Sequence, residues 1–285
     1  MIETSAPRAG VVGWPIEHSR SPTIHRYWLE QLGIPGTYDK FAVRPEDFRK
    51  FADRIGKDGF LGANVTVPHK EAAFAGCDRR TEVAEALGAV NTLWREDGRL
   101  WGDNTDVAGF LANLDEVTPG WDERKRFAIV IGAGGAARGI IHALVSRGFE
   151  RIAVVNRTHA RAEALAQHFG ASTVPMPWDH LATELSQADS LVNASSLGMV
   201  GQPPLTVDVN ALPQRAVVAD AVYVPLRTPL IEAASGRGLR VAEGLGMLLH
   251  QAAPAFARWF GTLPVVTPAL RALVEAEVIA TYEVG

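Results

Sequence analysis

The chain has 285 residues, 47% of them hydrophobic, and a formal charge of −4: enough apolar material for two cores, and no basic field for nucleic acid. Cys77 is the single cysteine, which excludes an intrachain disulfide and a cysteine-based zinc site. Met1 to Ala9 holds no apolar signal-peptide core and no stretch reaches the roughly 18 apolar residues of a membrane span, so a cytoplasmic protein with no membrane partner is expected.

The first elements alternate between the two classes. After a short strand at Gly10 to Gly13, Ser21-Pro22 predicts a helix start, with Ser21 as its N-cap. Ile24, Trp28 and Leu32 form one face of that helix, and Gly33 stops it. Tyr38 to Val43 reads as a strand, and Phe48, Phe51, Ala52 and Ile55 repeat at the spacing of a buried helix face. In Asn64-Val-Thr-Val-Pro-His-Lys70, valines alternate with polar residues as in a strand, until Pro68 withdraws a backbone donor and ends the ladder. Lys70 is thereby delivered just past a strand end, where α/β proteins hold ligands. A helix through Val83 and Leu87, a strand at Asn91 to Trp94 and a tight Glu96-Asp97-Gly98 turn into Leu100 and Trp101 follow. Gly102-Asp-Asn-Thr-Asp106 then places a carboxylate at the opening of a helix through Val107, Phe110 and Leu111. A lysine and a carboxylate on one rim can hold a proton between them and give it to a reacting oxygen.

From Arg126 the texture changes. Phe127-Ala-Ile-Val-Ile131 is the continuous apolar run of a strand buried on both faces, and a doubly wound parallel sheet is expected from here. Gly132-Ala133-Gly134-Gly135-Ala136-Ala137 follows at once, a G-x-G-x-x-A fingerprint opening a helix. The first glycine permits the turn, the second lets backbone approach a pyrophosphate, and Ala137 lets the helix pack on the strand. The helix start adds free N–H groups and a positive dipole, so dinucleotide binding is predicted. After the next strand, Ile152 to Val155, an NAD site would keep an acid. This chain has Asn156-Arg157-Thr158 with Arg161 one turn on, guanidinium groups that suit a 2′-phosphate and favour NADP. A helix from Thr158 to Phe169 and strands at Leu191-Val192 and Val217 to Ala219 continue the sheet. The last forty residues read as helical, broken at Gly261, and are expected to return to the first domain.

Assembled, these motifs resemble the shikimate dehydrogenase family nearly end to end. The likeness is carried by Gly13-Trp-Pro-Ile-Glu-His-Ser19-Arg-Ser21-Pro22, the Asn64 to Lys70 run, Gly88-Ala-Val-Asn91-Thr92, Gly102 to Asp106, Gly132 to Ala136, Asn156-Arg157-Thr158, Asn193-Ala-Ser-Ser-Leu-Gly198, and Gly244-Leu-Gly246-Met247 with Gln251. The elements along the chain map to an α/β substrate domain over 1–105 with 244–285 and a Rossmann domain binding NADP over 106–243, with hinges expected near Asp103 to Asp106 and Glu243-Gly244. The resemblance makes Lys70 and Asp106 the catalytic pair, and Ser19, Ser21, Thr66, Asn91 and Gln251 the substrate ligands. Ala221, Tyr223 and Gly244 are implied near the nicotinamide or the substrate. At Ala221 the chain departs from the family, which often carries a bulkier residue, commonly Met. His18 and His69 flank these motifs without an implied chemical role and are read as structural.

The reaction so implied is reduction of 3-dehydroshikimate by NADPH on the way to aromatic amino acids, with a small-molecule substrate, no metal, and a monomer or homodimer. A quinate or dual quinate/shikimate dehydrogenase is the nearest rival. A non-catalytic NADP sensor is a rival of another class, against which both Lys70 and Asp106 argue, since a sensor has no use for a proton donor. Neither H-E-x-x-H nor G-x-S-x-G occurs, so a zinc or serine hydrolase finds no support.

Overall fold

The computed structural model describes residues 6–282. They form two compact units, one holding the chain up to Thr105 with Gln251–Val274, the other Asp106–His250 with the residues from Glu275 onward. The division therefore falls after His250, whereas the sequence placed it at Gly244. The reason is local: Gly244 opens a helix whose first turns pack on the second unit. A Cβ on Gly244 would stand 2.7 Å from the Ala221 carbonyl oxygen, and His250 Nε2 lies 2.6 Å from Glu116 Oε2. The end of the last helix also counts with the second unit, so the tail does not return whole.

The first unit runs β1 (Arg8–Gly13), α1 (Ser21–Gln31), β2 (Thr37–Ala42), α2 (Phe48–Ala52), β3 (Phe60–Val65), α3 (Lys70–Gly76), β4 (Arg79–Arg80), α4 (Glu82–Leu87), β5 (Thr92–Glu96) and β6 (Arg99–Asp103). Its sheet has the order β2-β1-β3-β5-β6-β4, parallel among β1, β2 and β3 and antiparallel from β3 through β5 to β6. Asp97 and Gly98 adopt φ 49° and 75°, the paired left-handed conformations of a two-residue hairpin turn that follows the strand twist. Phe48, Phe51, Ala52 and Ile55 bury against Phe60, Ala63, Val65 and Leu93. A second cluster gathers His25, Trp28, Tyr38, Phe256 and Trp259, with the His25 ring stacked on Tyr38 at 4.0 Å between centroids. Trp259 donates from Nε1 to the Leu93 carbonyl at 3.0 Å and occupies the space a Cβ on Gly62 would need, so glycine is required in the middle of β3. Cys77 is buried here, and burial pushes its thiol up to about 12, which makes it a poor nucleophile.

The second unit begins with α5 (Asp106–Val117) and continues β7 (Phe127–Ile131), α6 (Gly135–Ser146), β8 (Arg151–Val155), α7 (His159–Phe169), β9 (Thr173–Met176), α8 (Leu181–Glu184), β10 (Ser190–Asn193), β11 (Val217–Asp220), α9 (Pro229–Gly236) and β12 (Arg240–Ala242). The chain ends with α10 (Gly244–Phe260) and α11 (Pro268–Tyr282). All six strands are parallel, in the order β12-β11-β10-β7-β8-β9. That is the doubly wound order with its reversal between β7 and β10, and a ligand crevice opens at such a point. Every residue of β7 is buried, as the apolar run requires.

Candidate active site

Just past β3 the chain is held in an extended path before it turns. Thr66 donates its N–H to the Val12 carbonyl at 2.9 Å, and Trp14 donates to the Val67 carbonyl at 3.1 Å. His69 N–H then closes on the Thr66 carbonyl at 2.9 Å, and Lys70 follows as the first residue of α3. His69 anchors the turn: its Nε2 lies 2.8 Å from the Val43 carbonyl, its ring stacks on Phe48, and burial lowers its pKa. The Lys70 carbonyl accepts from Val90 N–H at 3.0 Å, which ties the lysine's backbone to the residue before Asn91.

Asn91 is the hub of this region. Its Oδ1 accepts from Thr92 Oγ1 at 2.9 Å and from the Thr105 N–H at 2.9 Å, while its Nδ2 donates to Thr105 Oγ1 at 3.1 Å. Thr105 Oγ1 lies 3.4 Å from Gln251 Oε1. Asn64 Nδ2 reaches the Asn91 carbonyl and Thr92 Oγ1, both at 3.3 Å, and its Oδ1 accepts from the Tyr38 hydroxyl at 2.6 Å. Asn64, Asn91, Thr92 and Thr105 are all buried, and buried polar groups that satisfy one another this way rigidify a site. Asp106, next along the chain after Thr105, is half-buried and opens α5. The sequence singles out Asn91, Thr66, Lys70, Asp106 and Gln251 as candidates, but gives no sign of the hydrogen bonds made by Tyr38, Thr92 and Thr105.

Ser21 is the first residue inside α1, not its cap. Arg20 holds the N-cap position and makes no side-chain cap bond. The turn is closed instead by Ser19, whose Oγ accepts from Ser21 N–H at 3.4 Å, leaving the Ser21 hydroxyl to the buried Tyr38 phenol. Burial raises that phenol well above its usual range, and the Ser21 hydrogen bond opposes the rise.

In the second unit, Gly132 is forced to be glycine twice over. Its φ is +116°, and a Cβ there would stand 2.8 Å from the Ala194 carbonyl carbon and oxygen. Gly134 is the N-cap of α6 and offers no side chain to the helix donors. A Cβ on Gly134 or Gly135 would meet no protein atom within 4 Å. The turn therefore presents open backbone at the start of a three-turn helix, with Ala133 and Ala136 half-buried beside it. Such backbone suits a pyrophosphate. Past β8, Asn156 Nδ2 donates to the Thr158 carbonyl at 2.8 Å, and Thr158 is the N-cap of α7. Arg157 and Arg161 are exposed there, and neither joins an ion pair among the described residues. Tyr223 and Ala221 lie half-buried in the loop after β11.

Asp220, the last residue of β11, went unremarked in the sequence. It is buried, and three neutral donors converge on it: Asn193 Nδ2 and Val222 N–H on Oδ1, each at 2.9 Å, and Thr228 Oγ1 on Oδ2 at 2.7 Å. Burial raises its pKa to about 6, with the three hydrogen bonds opposing. The acid thus holds its proton more tightly folded than unfolded, and stability from this group falls as pH rises from about 4 to about 6, then levels off. At about 1.4 kcal/mol per pKa unit the fall is roughly 3 kcal/mol. Thermal unfolding of the wild type and Asp220→Asn between pH 4.5 and 8 should show the difference: relative to wild type, the Asn variant gains stability across that window. Parallel pH curves would contradict this.

Solved structures of like architecture carry both kinds of ligand. A shikimate 5-dehydrogenase from Thermus thermophilus, in complex with NADP(H) and shikimate, superposes with a TM-score of 0.84 at 36% identity, over 95% of this chain and 99% of that one. A quinate dehydrogenase from Corynebacterium glutamicum, in complex with NAD, superposes with a TM-score of 0.88 at 30% identity, over 95% and 99%. Fold and site define the class: a dinucleotide-dependent α/β oxidoreductase. Residues 11–93 match the shikimate dehydrogenase substrate binding domain, 117–200 the shikimate / quinate 5-dehydrogenase model and 244–274 the shikimate 5′-dehydrogenase C-terminal domain. A shikimate dehydrogenase (NADP(+)) of Methylocella silvestris is 59% identical over 277 residues, 97% of this chain and 99% of the relative. The chain belongs to the shikimate dehydrogenase family.

Proposed function

We propose that this chain reduces 3-dehydroshikimate to shikimate reversibly with NADPH, with Lys70 and Asp106 as the catalytic pair. The observation that carries the reading is the Asn91 hub: one amide ties Thr105, the residue before Asp106, to a strand whose neighbour Val90 holds the Lys70 carbonyl. The first unit contributes Ser19, Ser21, Thr66, Asn91 and Gln251 to a hydroxyl-rich carboxylate, which calls for neutral donors and acceptors in number. In the second unit, Gly132 to Ala136 would hold the pyrophosphate and Asn156, Arg157, Thr158 and Arg161 the 2′-phosphate end, while Ala221 and Gly244 would border the nicotinamide and Tyr223 the substrate.

NADPH supplies, when bound, the hydride that reaches the ketone carbon. Charge then develops on the ketone oxygen. Lys70 stabilises it and passes its ammonium proton to that oxygen, forming the O–H bond, and regains a proton from water. Asp106 orients the ammonium group and a substrate hydroxyl. No step is assigned to a metal. The protein acts in the cytoplasm on a small molecule, as a monomer or homodimer, without nucleic acid or membrane partners; among the described residues no helix is long and apolar enough to cross a membrane.

Loss of NADPH absorbance with 3-dehydroshikimate, run beside 3-dehydroquinate, tests the reading. Turnover of the first alone is expected. Comparable turnover of both moves the assignment to a dual quinate/shikimate enzyme, and NADPH binding without turnover of either makes the chain a sensor. Within an active enzyme, Ser19→Ala and Ser21→Ala should each raise KM for shikimate by about 0.5 to 1.5 kcal/mol, or roughly two- to tenfold. Ser21→Ala should also lower the melting temperature, because the Tyr38 phenol loses a buried partner. An unchanged KM in both variants would remove the serines from the substrate site.

A further inference from the structure

We propose that Asp220 is a positioning residue for the nicotinamide half of the dinucleotide, its carboxylate fastening together the two loops that leave β10 and β11. The inference rests on the NADP reading above. With the pyrophosphate at the turn after β7 and the 2′-phosphate past β8, the other half of the ligand must extend over the ends of β10 and β11, on the opposite side of β7 in the sheet. Asp220 and Asn193 end those two strands in register. Asn193 shapes the first loop: its Oδ1 accepts from Ser195 N–H at 3.1 Å and Ser195 Oγ at 2.7 Å, and its Nδ2 donates to the Leu197 carbonyl at 3.0 Å. Thr228 closes the second loop by capping α9, accepting from Ile231 N–H at 3.4 Å. Asp220 takes one donor from each of these residues and a third from Val222.

A carboxylate meets all three donors as they stand. Three donors converge, and an amide in the same place would turn one N–H toward the Thr228 hydroxyl, whereas an ionised acid accepts on every side. The group is 3% exposed and joins no ion pair among the described residues, so it is a charge buried on neutral partners. That is a costly choice for stability alone. A buried charge that works against stability, at the strand ends where the ligand must pass, is accounted for by the placement of the loops.

The test separates the two halves of the ligand. Bind NADPH and adenosine 2′,5′-bisphosphate, which lacks the nicotinamide, to wild type, Asp220→Ala and Asp220→Asn, and measure kcat and KM for each enzyme. The expected result is a loss of NADPH affinity of about tenfold or more in Asp220→Ala and about threefold or more in Asp220→Asn, with a lowered kcat, while the bisphosphate binds all three within about twofold. The Asn variant guards against misfolding, since it keeps the Oδ1 acceptor. Equal losses for both ligands in both variants would overturn the proposal, because they mean the whole unit has loosened; so would full NADPH affinity in both. A wild type that binds neither ligand would instead remove the NADP reading, and this inference with it.

Discussion

Lys70→Ala is expected to lower kcat by roughly 10² to 10⁴ while leaving shikimate affinity within about tenfold. The change removes a proton donor at the reacting oxygen, and a contact made mainly in the transition state shows in kcat and kcat/KM together. The scaffold should tolerate it. Lys70 is half-buried at the first position of α3, and the bond from Val90 N–H is to its backbone, which alanine keeps. Lys70→Arg extends the test, because a guanidinium retains the charge but does not release its proton. If Arg restores most of the rate, the residue works by charge alone. If Lys70→Ala raises only KM, the lysine binds substrate and the proton must come from elsewhere.

Replacing Arg157 and Arg161 together by alanine should erase most of the preference for NADP over NAD. A charge-assisted contact to the 2′-phosphate is worth about 1.5 to 3 kcal/mol, so each arginine lost should weaken NADP binding by roughly ten- to a hundredfold. NAD has no phosphate at that point, and its binding should hardly change. Both side chains are exposed, so screening matters and both cofactors must be titrated at one fixed, moderate salt concentration. Equal affinity of the wild type for the two cofactors would mark these arginines as ordinary surface charges.

The parts of this fold that were legible from sequence are those where one physical demand dominates a run of residues. The all-apolar Phe127–Ile131 admits little but a buried strand, and the glycines after it admit little but a tight turn. α3 was missed because Lys70–Gly76 buries only Ala73, so no apolar period forms. β9 and β12 lie at the two edges of their sheet, where strands are short and half-exposed and the alternation is weak. α9 did carry a signal in Thr228-Pro229, a cap followed by proline, that went unread. Among the candidate residues, Lys70 is legible because it follows a strand end. What sequence could not supply was pairing at a distance. Nothing local tells that Tyr38 will serve Asn64, or that Asp220 will gather Asn193 and Thr228.

The hub at Asn91 has a consequence for altering what this enzyme accepts. An amide that holds both Thr92 and Thr105 cannot be exchanged without disturbing several neighbours, so a substitution at Asn91 carries a structural cost beyond any effect on the substrate. Thr66, half-buried and outside the hub, is a position where a side-chain change disturbs fewer of these partners.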